Sequence, residues 1–111
     1  MTDDVFAALG DPTRRWIVEQ LSAAGPRSAT ELAAELPISR QAVVKHLAAL
    51  ADAGLVDSAR DGRDVRYHLQ PEPLSGAAAW VAEVGAQWDD RLARLQRGLA
   101  VDAETPARSP E

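Results

Sequence analysis

Residues 28–55 read SATELAAELPISRQAVVKHLAALADAGL, and this stretch decides the fold. Ser28 and Glu31 have the spacing of a capping box, in which each side chain satisfies a free backbone N–H of the other residue. A short helix is therefore predicted to begin after Ser28. Pro37 ends it, because proline lacks the N–H that an α-helix needs.

A second helix is predicted immediately afterwards. Ser39 is a favourable N-cap, and Gly54 closes the helix after Ala53. Only residues 37–39 would join the two helices, and a connection that short holds them at a steep angle rather than antiparallel. The pair therefore has the pattern of a helix-turn-helix. The predicted inward stripe of the second helix is Val43, Leu47 and Leu50.

A hairpin is predicted next in the chain. After Leu55 the apolar period changes from 3.6 to 2, which indicates β-strands. Two alternating segments, residues 56–60 and 63–69, flank Asp61-Gly62, a dipeptide typical of tight hairpin turns. A hairpin that directly follows a helix-turn-helix is a wing.

Helices are also predicted on both sides of this central part. A short amphipathic helix precedes Gly10, and Asp11-Pro12 then reads as an N-cap followed by proline at the first helical position. After the break at residues 70–73, a long helix with an apolar stripe is predicted over residues 77–99.

These elements together predict the fold class and the domain organisation. We expect a mainly α protein with a small β-hairpin wing, a winged helix-turn-helix of about five helices. Residues 1–100 would form one DNA-binding and dimerisation domain. Residues 101–111 are rich in polar residues and proline, with a net charge of −2, and are predicted to be a disordered acidic tail.

Composition excludes several classes of function. The chain has no cysteine, which removes disulfides, thiolate metal sites and cysteine nucleophiles. It has no glycine-rich phosphate loop, and neither histidine stands in a recognisable catalytic arrangement, so an enzyme is not expected. No apolar run is long enough to span a bilayer, and the N-terminus is acidic where a signal peptide is basic. We therefore expect a cytoplasmic protein without a cofactor or a metal.

Charge alone does not indicate a nucleic-acid partner. The net charge is −5, whereas DNA-binding domains are commonly basic. Residues 40–68 carry five basic and four acidic side chains, a net charge of +1, and are the least acidic part of the chain.

The outer face of the second predicted helix carries side chains suited to reading DNA. Gln41 and Lys45 point away from the inward stripe, and Val44 flanks this outer side as an exposed apolar residue. In a major groove, glutamine can pair with adenine, lysine can reach guanine and a valine methyl can meet the thymine methyl. Ser39 and Arg40 lie at the positive end of the helix, which suits a phosphate.

The predicted hairpin adds three cations, Arg60, Arg63 and Arg66, that suit the minor groove or the DNA backbone. A plainer interpretation exists for each group. Gln41 and Lys45 could be ordinary solvated residues, and arginines near a hairpin often only prevent strands from aggregating. The order of the elements, a helix-turn-helix followed by a wing, favours DNA. The candidate DNA contacts are Ser39, Arg40, Gln41, Val44, Lys45, Arg60, Arg63 and Arg66.

Apolar residues of the first and last helices predict a homodimer. A core this small can cover only part of them, and a large exposed apolar patch usually marks an interface. The alternative is that all of them pack internally. A two-fold dimer would place two reading helices one DNA turn apart, on an imperfect palindrome. The candidate interface residues are Val5, Phe6, Leu9, Trp80, Val84, Trp88 and Leu92.

Three segments resemble ArsR-type (ArsR/SmtB) transcriptional repressors. Residues 6–15, FAALGDPTRR, are similar to the opening of that family, and so are residues 39–47, SRQAVVKHL, followed by LADAGLV at residues 50–56. The resemblance runs over residues 5–99, with the motifs in family order and spacing. It implies a dimeric winged-helix repressor of double-stranded DNA whose terminal helices form the dimer interface.

The chain departs from the metal-sensing members of that family. One familiar site has a cysteine pair where residues 31–35 here read ELAAE. The other uses histidines on the last helix, which here has none, and Glu83, Asp89 and Asp90 alone are a poor set for zinc. The sequence resembles instead the branch without these metal sites, some of whose members repress their own genes.

Two other functions stay open at this point. A winged-helix module that binds proteins and not DNA would fit the net charge of −5. A repressor that responds to a small organic ligand near the tryptophans is also compatible with the sequence, which does not identify such an inducer.

Overall fold

The computed structural model describes residues 2–103, which contain five helices and one three-stranded sheet. The strands are antiparallel in the order β1-β3-β2. The predicted fold class, a winged helix-turn-helix that is mainly α, is confirmed. The elements are α1 (Thr2–Ala8), α2 (Pro12–Ala24), β1 (Arg27–Ser28), α3 (Ala29–Ala33), α4 (Arg40–Asp52), β2 (Val56–Asp61), β3 (Asp64–Leu69) and α5 (Glu72–Ala103).

The helix starts lie where their capping side chains predicted them. The Asp11 carboxylate accepts hydrogen bonds from the backbone N–H groups of Thr13 and Arg14 at 2.7 and 3.2 Å. Burial raises the pKa of Asp11, but these two hydrogen bonds and the nearby His46 and Arg14 together lower it by more, so the pKa lies below its ordinary value. Ser28 and Glu31 form both halves of the predicted capping box at the start of α3.

The two arginines after this cap join α2 to α1. The Nε of Arg14 donates to the carbonyl oxygen of Ala8 at 2.6 Å, and Nη1 of Arg15 donates to that of Leu9 at 2.7 Å. Carbonyls at the end of a helix have no partner within it, and a cation there is also favoured by the helix dipole. The segment DPTRR at residues 11–15 therefore begins α2 and closes α1.

The connection within the helix-turn-helix is longer than predicted. α3 ends at Ala33, not at Pro37, so residues 34–39 join it to α4. The backbone N–H of Glu35 donates to Leu32 and that of Leu36 to Ala33, both at three-residue spacing. The chain therefore continues past α3 in tighter turns, which a pattern of apolar residues does not distinguish from a helix.

A single hydrophobic core lies in the part of the chain before residue 78. The predicted inward stripe of α4 is confirmed, because Val43, Leu47 and Leu50 are fully buried. Val5 is only 1% exposed and belongs to this core, which corrects the expectation that it lies at a surface. The other buried residues are Ala8, Ile17, Val18, Leu21, Ala29, Leu32, Leu55, Val56 and Ala77.

The hairpin turn is shifted by one residue from its predicted position. Asp61 pairs with Asp64, so the turn residues are Gly62 and Arg63 instead of Asp61 and Gly62. Gly62 has a φ of +64°, a left-handed conformation that glycine adopts without strain. The register that pairs the buried Val56 with Leu69 fixes this turn.

A third strand was not predicted from the sequence. β1 is two residues long and pairs antiparallel with β3, Arg27 opposite Tyr67 and Ser28 opposite Arg66. Two residues are too few to show an alternating pattern, and Ser28 also serves as the N-cap of α3. β3 is therefore the central strand, with β1 on one side and β2 on the other.

The chain divides into two compact units, one up to Ala77 and the other from Ala78 onward. α5 begins at Glu72, earlier than predicted, because Pro73 in a first turn needs no hydrogen-bond partner for its nitrogen. The helix continues to Ala103, and the rest of the predicted tail lies outside the described residues. Within residues 2–103, no helix has the length and apolar character to cross a membrane. The large apolar side chains exposed on the second unit are Trp80, Val81, Val84, Trp88, Leu92, Leu95 and Leu99.

Candidate nucleic-acid interface

The start of α4 is fixed by two side-chain hydrogen bonds. The Ser39 hydroxyl accepts from the backbone N–H of Ala42 at 3.1 Å. The Nε of Arg40 donates to the hydroxyl oxygen of Thr30 at 3.2 Å, which links the first residue of α4 to α3. Ser39 and Arg40 are both exposed at this end, where the helix dipole favours an anion.

The outer face of α4 presents mainly polar and small side chains. Gln41, Lys45 and Ala48 are exposed on successive turns of the helix, while the opposite face is fully buried. Val44 is half-buried and packs against the core, so less of it is accessible than the sequence suggested. A DNA contact of Val44 stays a prediction.

The wing supplies two exposed arginines. Arg60 lies on β2 opposite Val65, and Arg63 is the second residue of the turn. Among the residues that the structure describes, no carboxylate comes within 4.0 Å of either guanidinium. Both side chains are therefore available to an anion outside the protein.

A cleft of about 250 Å³ lies between α4 and the wing and brings their cations together. Arg40 and Val44 of α4 line one part of it, and Arg63 and Val65 of the hairpin line another. Thr30 of α3, which accepts the hydrogen bond from Arg40, lies between them. Three of the predicted contacts, Arg40, Val44 and Arg63, therefore line one cleft together with the acidic Asp64, which the sequence could not establish.

Arg66 is placed differently from the other two hairpin arginines. Its Nε donates to Oδ2 of Asp61 at 3.1 Å, and its Nη1 lies 3.2 Å from Oε1 of Glu31. Nη1 also donates to the carbonyl oxygen of Pro26 at 3.3 Å. The guanidinium thus has anionic partners inside the protein, and its predicted DNA contact remains untested.

Glu31 is the point where several of these interactions meet. A hydrogen bond from the Ser28 backbone N–H lowers the pKa of its carboxyl group most, and Arg66 and Arg27 lower it further. Burial acts in the opposite direction but is outweighed, so the pKa lies below its ordinary value. Sequence reasoning found Glu31 as a capping residue and missed its ion pairs.

Metal ligands do not converge in the part of the chain that the structure describes. Within residues 2–103, histidine, aspartate and glutamate side chains do not form a group of three that could hold an ion. The candidate site is an exposed surface of polar and cationic groups on α4 and the wing. Such a surface is suited to the grooves and phosphates of DNA.

Comparison with known proteins agrees with this class, a helix-turn-helix regulator that binds DNA. Residues 9–59 match the family model of a helix-turn-helix domain. The HTH-type transcriptional regulator Rv2034 of Mycobacterium tuberculosis is 43% identical over 81% of this chain and 80% of its own length. The arsenical resistance operon repressor of Escherichia coli is 31% identical over 86% of this chain and 82% of its own length.

A solved structure shows that the similarity extends to the fold. The ArsR-like transcriptional regulator from Rhodococcus sp. RHA1 is 44% identical, with a TM-score of 0.73 over 86% of this chain and 90% of that chain. The chain belongs to the ArsR family of helix-turn-helix transcriptional repressors. It is a DNA-binding regulator and not an enzyme.

Proposed function

We propose that the protein is a homodimeric repressor that binds a palindromic operator through α4 and the wing, and that the operator lies upstream of its own gene. The two faces of α4 carry this proposal. Val43 and Leu47 hold one face in the core, while Gln41 and Lys45 stand exposed on the other. A helix fixed in this way can enter a major groove without rearrangement.

Each exposed group has a role in this proposal. Gln41 and Lys45 read base edges, glutamine toward adenine and lysine toward guanine. Ser39 and Arg40 hold a phosphate at the start of α4. Arg60 and Arg63 carry the wing contacts, in the minor groove or on the backbone; phosphate contacts of this kind fix the register of the protein on the duplex.

The proposal of a homodimer rests on the exposed apolar stripe of α5. Trp88 is 55% exposed and Val84 is 41% exposed, along with the other apolar residues of this helix. A second copy of the chain would cover such a stripe on both helices at once, since a two-fold axis pairs like with like. The remaining predicted contacts, Phe6, Leu9, Trp80 and Leu92, belong to the same proposal.

Fluorescence anisotropy with labelled DNA from upstream of the gene tests this function. The wild type is titrated beside Gln41→Ala/Lys45→Ala at 50 and 200 mM salt. We expect wild-type affinity to fall by about 10³–10⁵ between these salts, as for a dimer with 6–10 phosphate contacts. The double variant is expected to lose operator binding and keep only weak binding to random duplex.

The matched control is Gln96→Ala/Arg97→Ala, which removes one glutamine and one basic residue from exposed positions of α5 outside the candidate interface residues. It should bind the operator like the wild type. If wild type binds neither this DNA nor random duplex at low salt, DNA binding through α4 is refuted. A winged-helix module that binds another protein then becomes the better interpretation.

A further inference from the structure

We infer that Arg66 is a positioning residue for DNA binding. Its ion pairs with Glu31 and Asp61 hold the wing in a fixed orientation to the helix-turn-helix, and the DNA phosphates are left to Arg60 and Arg63. The inference rests on the proposed binding of DNA through α4 and the wing. It assigns Arg66 a role inside the protein where the sequence suggested a direct contact.

One guanidinium connects three separate segments. Arg66 lies on the central strand β3, opposite Ala59 of β2 and Ser28 of β1. Its Nε reaches Asp61 at the end of β2, while its Nη1 reaches Glu31 of α3 and the carbonyl of Pro26 before β1. The planar fork of arginine suits two acceptors in different directions, which a lysine cannot reproduce.

The carboxylate that receives Arg66 is itself held in place. Oε1 of Glu31 accepts the Ser28 backbone N–H at 2.9 Å, as part of the capping box. The next residue toward the N-terminus, Thr30, accepts the hydrogen bond from Arg40 at the start of α4. A continuous set of contacts therefore runs from the wing through Arg66 and α3 to the helix that is proposed to read DNA.

The wing has little else to orient it. Apart from the buried Val56, every residue of β2 is exposed, so the outer part of the hairpin contributes little to the core. β1 supports β3 only at Tyr67 and Arg66. Two-stranded hairpins without further packing are marginally stable in water. Arg66 is the residue of β3 nearest the tip that still pairs with β1. Its ion pairs can therefore set the direction of the tip that carries Arg60 and Arg63.

The surroundings of Arg66 disfavour a direct phosphate contact. Two carboxylates, those of Asp61 and Glu31, lie within 3.2 Å of its nitrogens and offset its charge. A phosphate would therefore have to compete with two carboxylates that already pair with this guanidinium. Arg60 and Arg63 are exposed and have no such competitor among the described residues.

Glu31 both caps α3 and pairs with Arg66. Glu31→Gln separates these two roles, because glutamine also fits the capping box but carries no charge. We expect Glu31→Gln and Arg66→Met each to weaken operator binding by about three- to tenfold, and the double variant to be no weaker than Arg66→Met. The magnitude of the slope of log K against log salt should also fall by about 1 or more in Glu31→Gln. This variant loses no cation, but its wing would no longer contact the DNA phosphates. If Arg66 instead contacts a phosphate, Glu31→Gln will bind as tightly as the wild type or more tightly, since it removes a negative charge near DNA.

Glu35→Gln is the matched control. It removes the same charge from the same part of the chain, but Glu35 pairs with Arg27 at 2.7 Å and not with Arg66. Its affinity and salt slope should equal those of the wild type. All titrations are made at 25 °C on variants whose circular dichroism shows a folded protein, so a loss of global stability does not imitate the effect.

Asp61→Asn provides a second variant if Arg66→Met does not fold, because Asp61 is 71% exposed at the end of β2. It should weaken binding in the same direction and by less. If the wild type binds the operator and Glu31→Gln behaves like Glu35→Gln, the positioning role is refuted and the proposed function stands. If the wild type itself shows no salt-sensitive binding to DNA, the proposed function fails and this role fails with it.

Discussion

Helices in both units of the chain carry an apolar stripe, but the stripe is buried in the first unit and exposed in the second. In the first unit, Leu47 and Leu50 of α4 are fully buried. In the second unit, Trp88, Leu95 and Leu99 of α5 are 55%, 56% and 57% exposed. An amphipathic pattern therefore shows that a helix has an apolar face, but it does not show which surface covers that face.

This difference assigns separate tasks to the two units. The first unit has its own core and carries the proposed DNA-reading surface. The second unit leaves an apolar stripe exposed, and burying it stabilises association by roughly 25 cal/mol per Å² before the costs of binding are subtracted. Folding and self-association should consequently be separable by single substitutions.

The largest expected effect is a loss of stability in the first unit. Leu47→Ala should lower the free energy of unfolding by about 2–5 kcal/mol, because it removes buried methyl groups and leaves a cavity. The same substitution at Leu95 should change it by less than about 0.5 kcal/mol at low protein concentration, where chains are monomeric. Urea unfolding followed by circular dichroism measures both. Equal losses in the two variants would contradict the division between a covered and an uncovered apolar face.

The next effect concerns association. Trp88→Glu places a charge in the exposed stripe and should weaken self-association by about 2–4 kcal/mol, the range of an interface hot spot. Analytical ultracentrifugation should show monomers, and operator affinity should fall with them, since one half-site binds weakly alone. Gln87→Glu introduces the same charge at the neighbouring exposed position and should remain dimeric. A Trp88→Glu dimer that binds the operator tightly would refute this interface.

The sequence was sufficient for the starts of α2, α3 and α4, which short segments encode. The caps at Asp11, Ser28 and Ser39 are in their predicted places, because a capping hydrogen bond spans only two or three residues. The stripe of α4 was also predicted correctly. The winged helix-turn-helix followed from the order of these elements and needed no long-range information.

Features that depend on distant residues were missed or misplaced. β1 and the ion pair between Arg66 and Glu31 join residues 35 or more positions apart, and no local sequence pattern predicts such a pairing. The hairpin turn shifted by one residue because the register is set at the far end, where Val56 is buried. Val5 was assigned to a surface because its helix is amphipathic, and amphipathicity does not identify what lies opposite.

A smaller effect should arise within the first unit alone. Ser28→Ala removes the hydroxyl that accepts the Glu31 backbone N–H at 3.1 Å and should lower the free energy of unfolding by about 1 kcal/mol. The dissociation constant of the dimer should not change, since α5 is untouched. Ser22→Ala, at an exposed position inside α2, should be neutral or slightly stabilising because alanine is the better helix former. A changed dimer affinity in Ser28→Ala would show that the two units are coupled.

The smallest expected effect is a pH dependence of the first unit. The pKa of Glu31 in the folded protein lies below its ordinary value of 4.5, so its carboxylate stabilises the folded state at pH values above 4.5. This contribution should be lost as the pH falls through the folded-state pKa, where the carboxyl group becomes protonated. The melting temperature of wild type should exceed that of Glu31→Gln at pH 7, and the gap should narrow as the pH falls below 4.5. The pKa of Asp11 is also lowered, so its contribution to stability is lost at low pH as well. Asp11 is present in both proteins, and this loss therefore cancels when their melting temperatures are compared. A gap that stays constant as the pH falls would show that the charge of Glu31 does not contribute to folding.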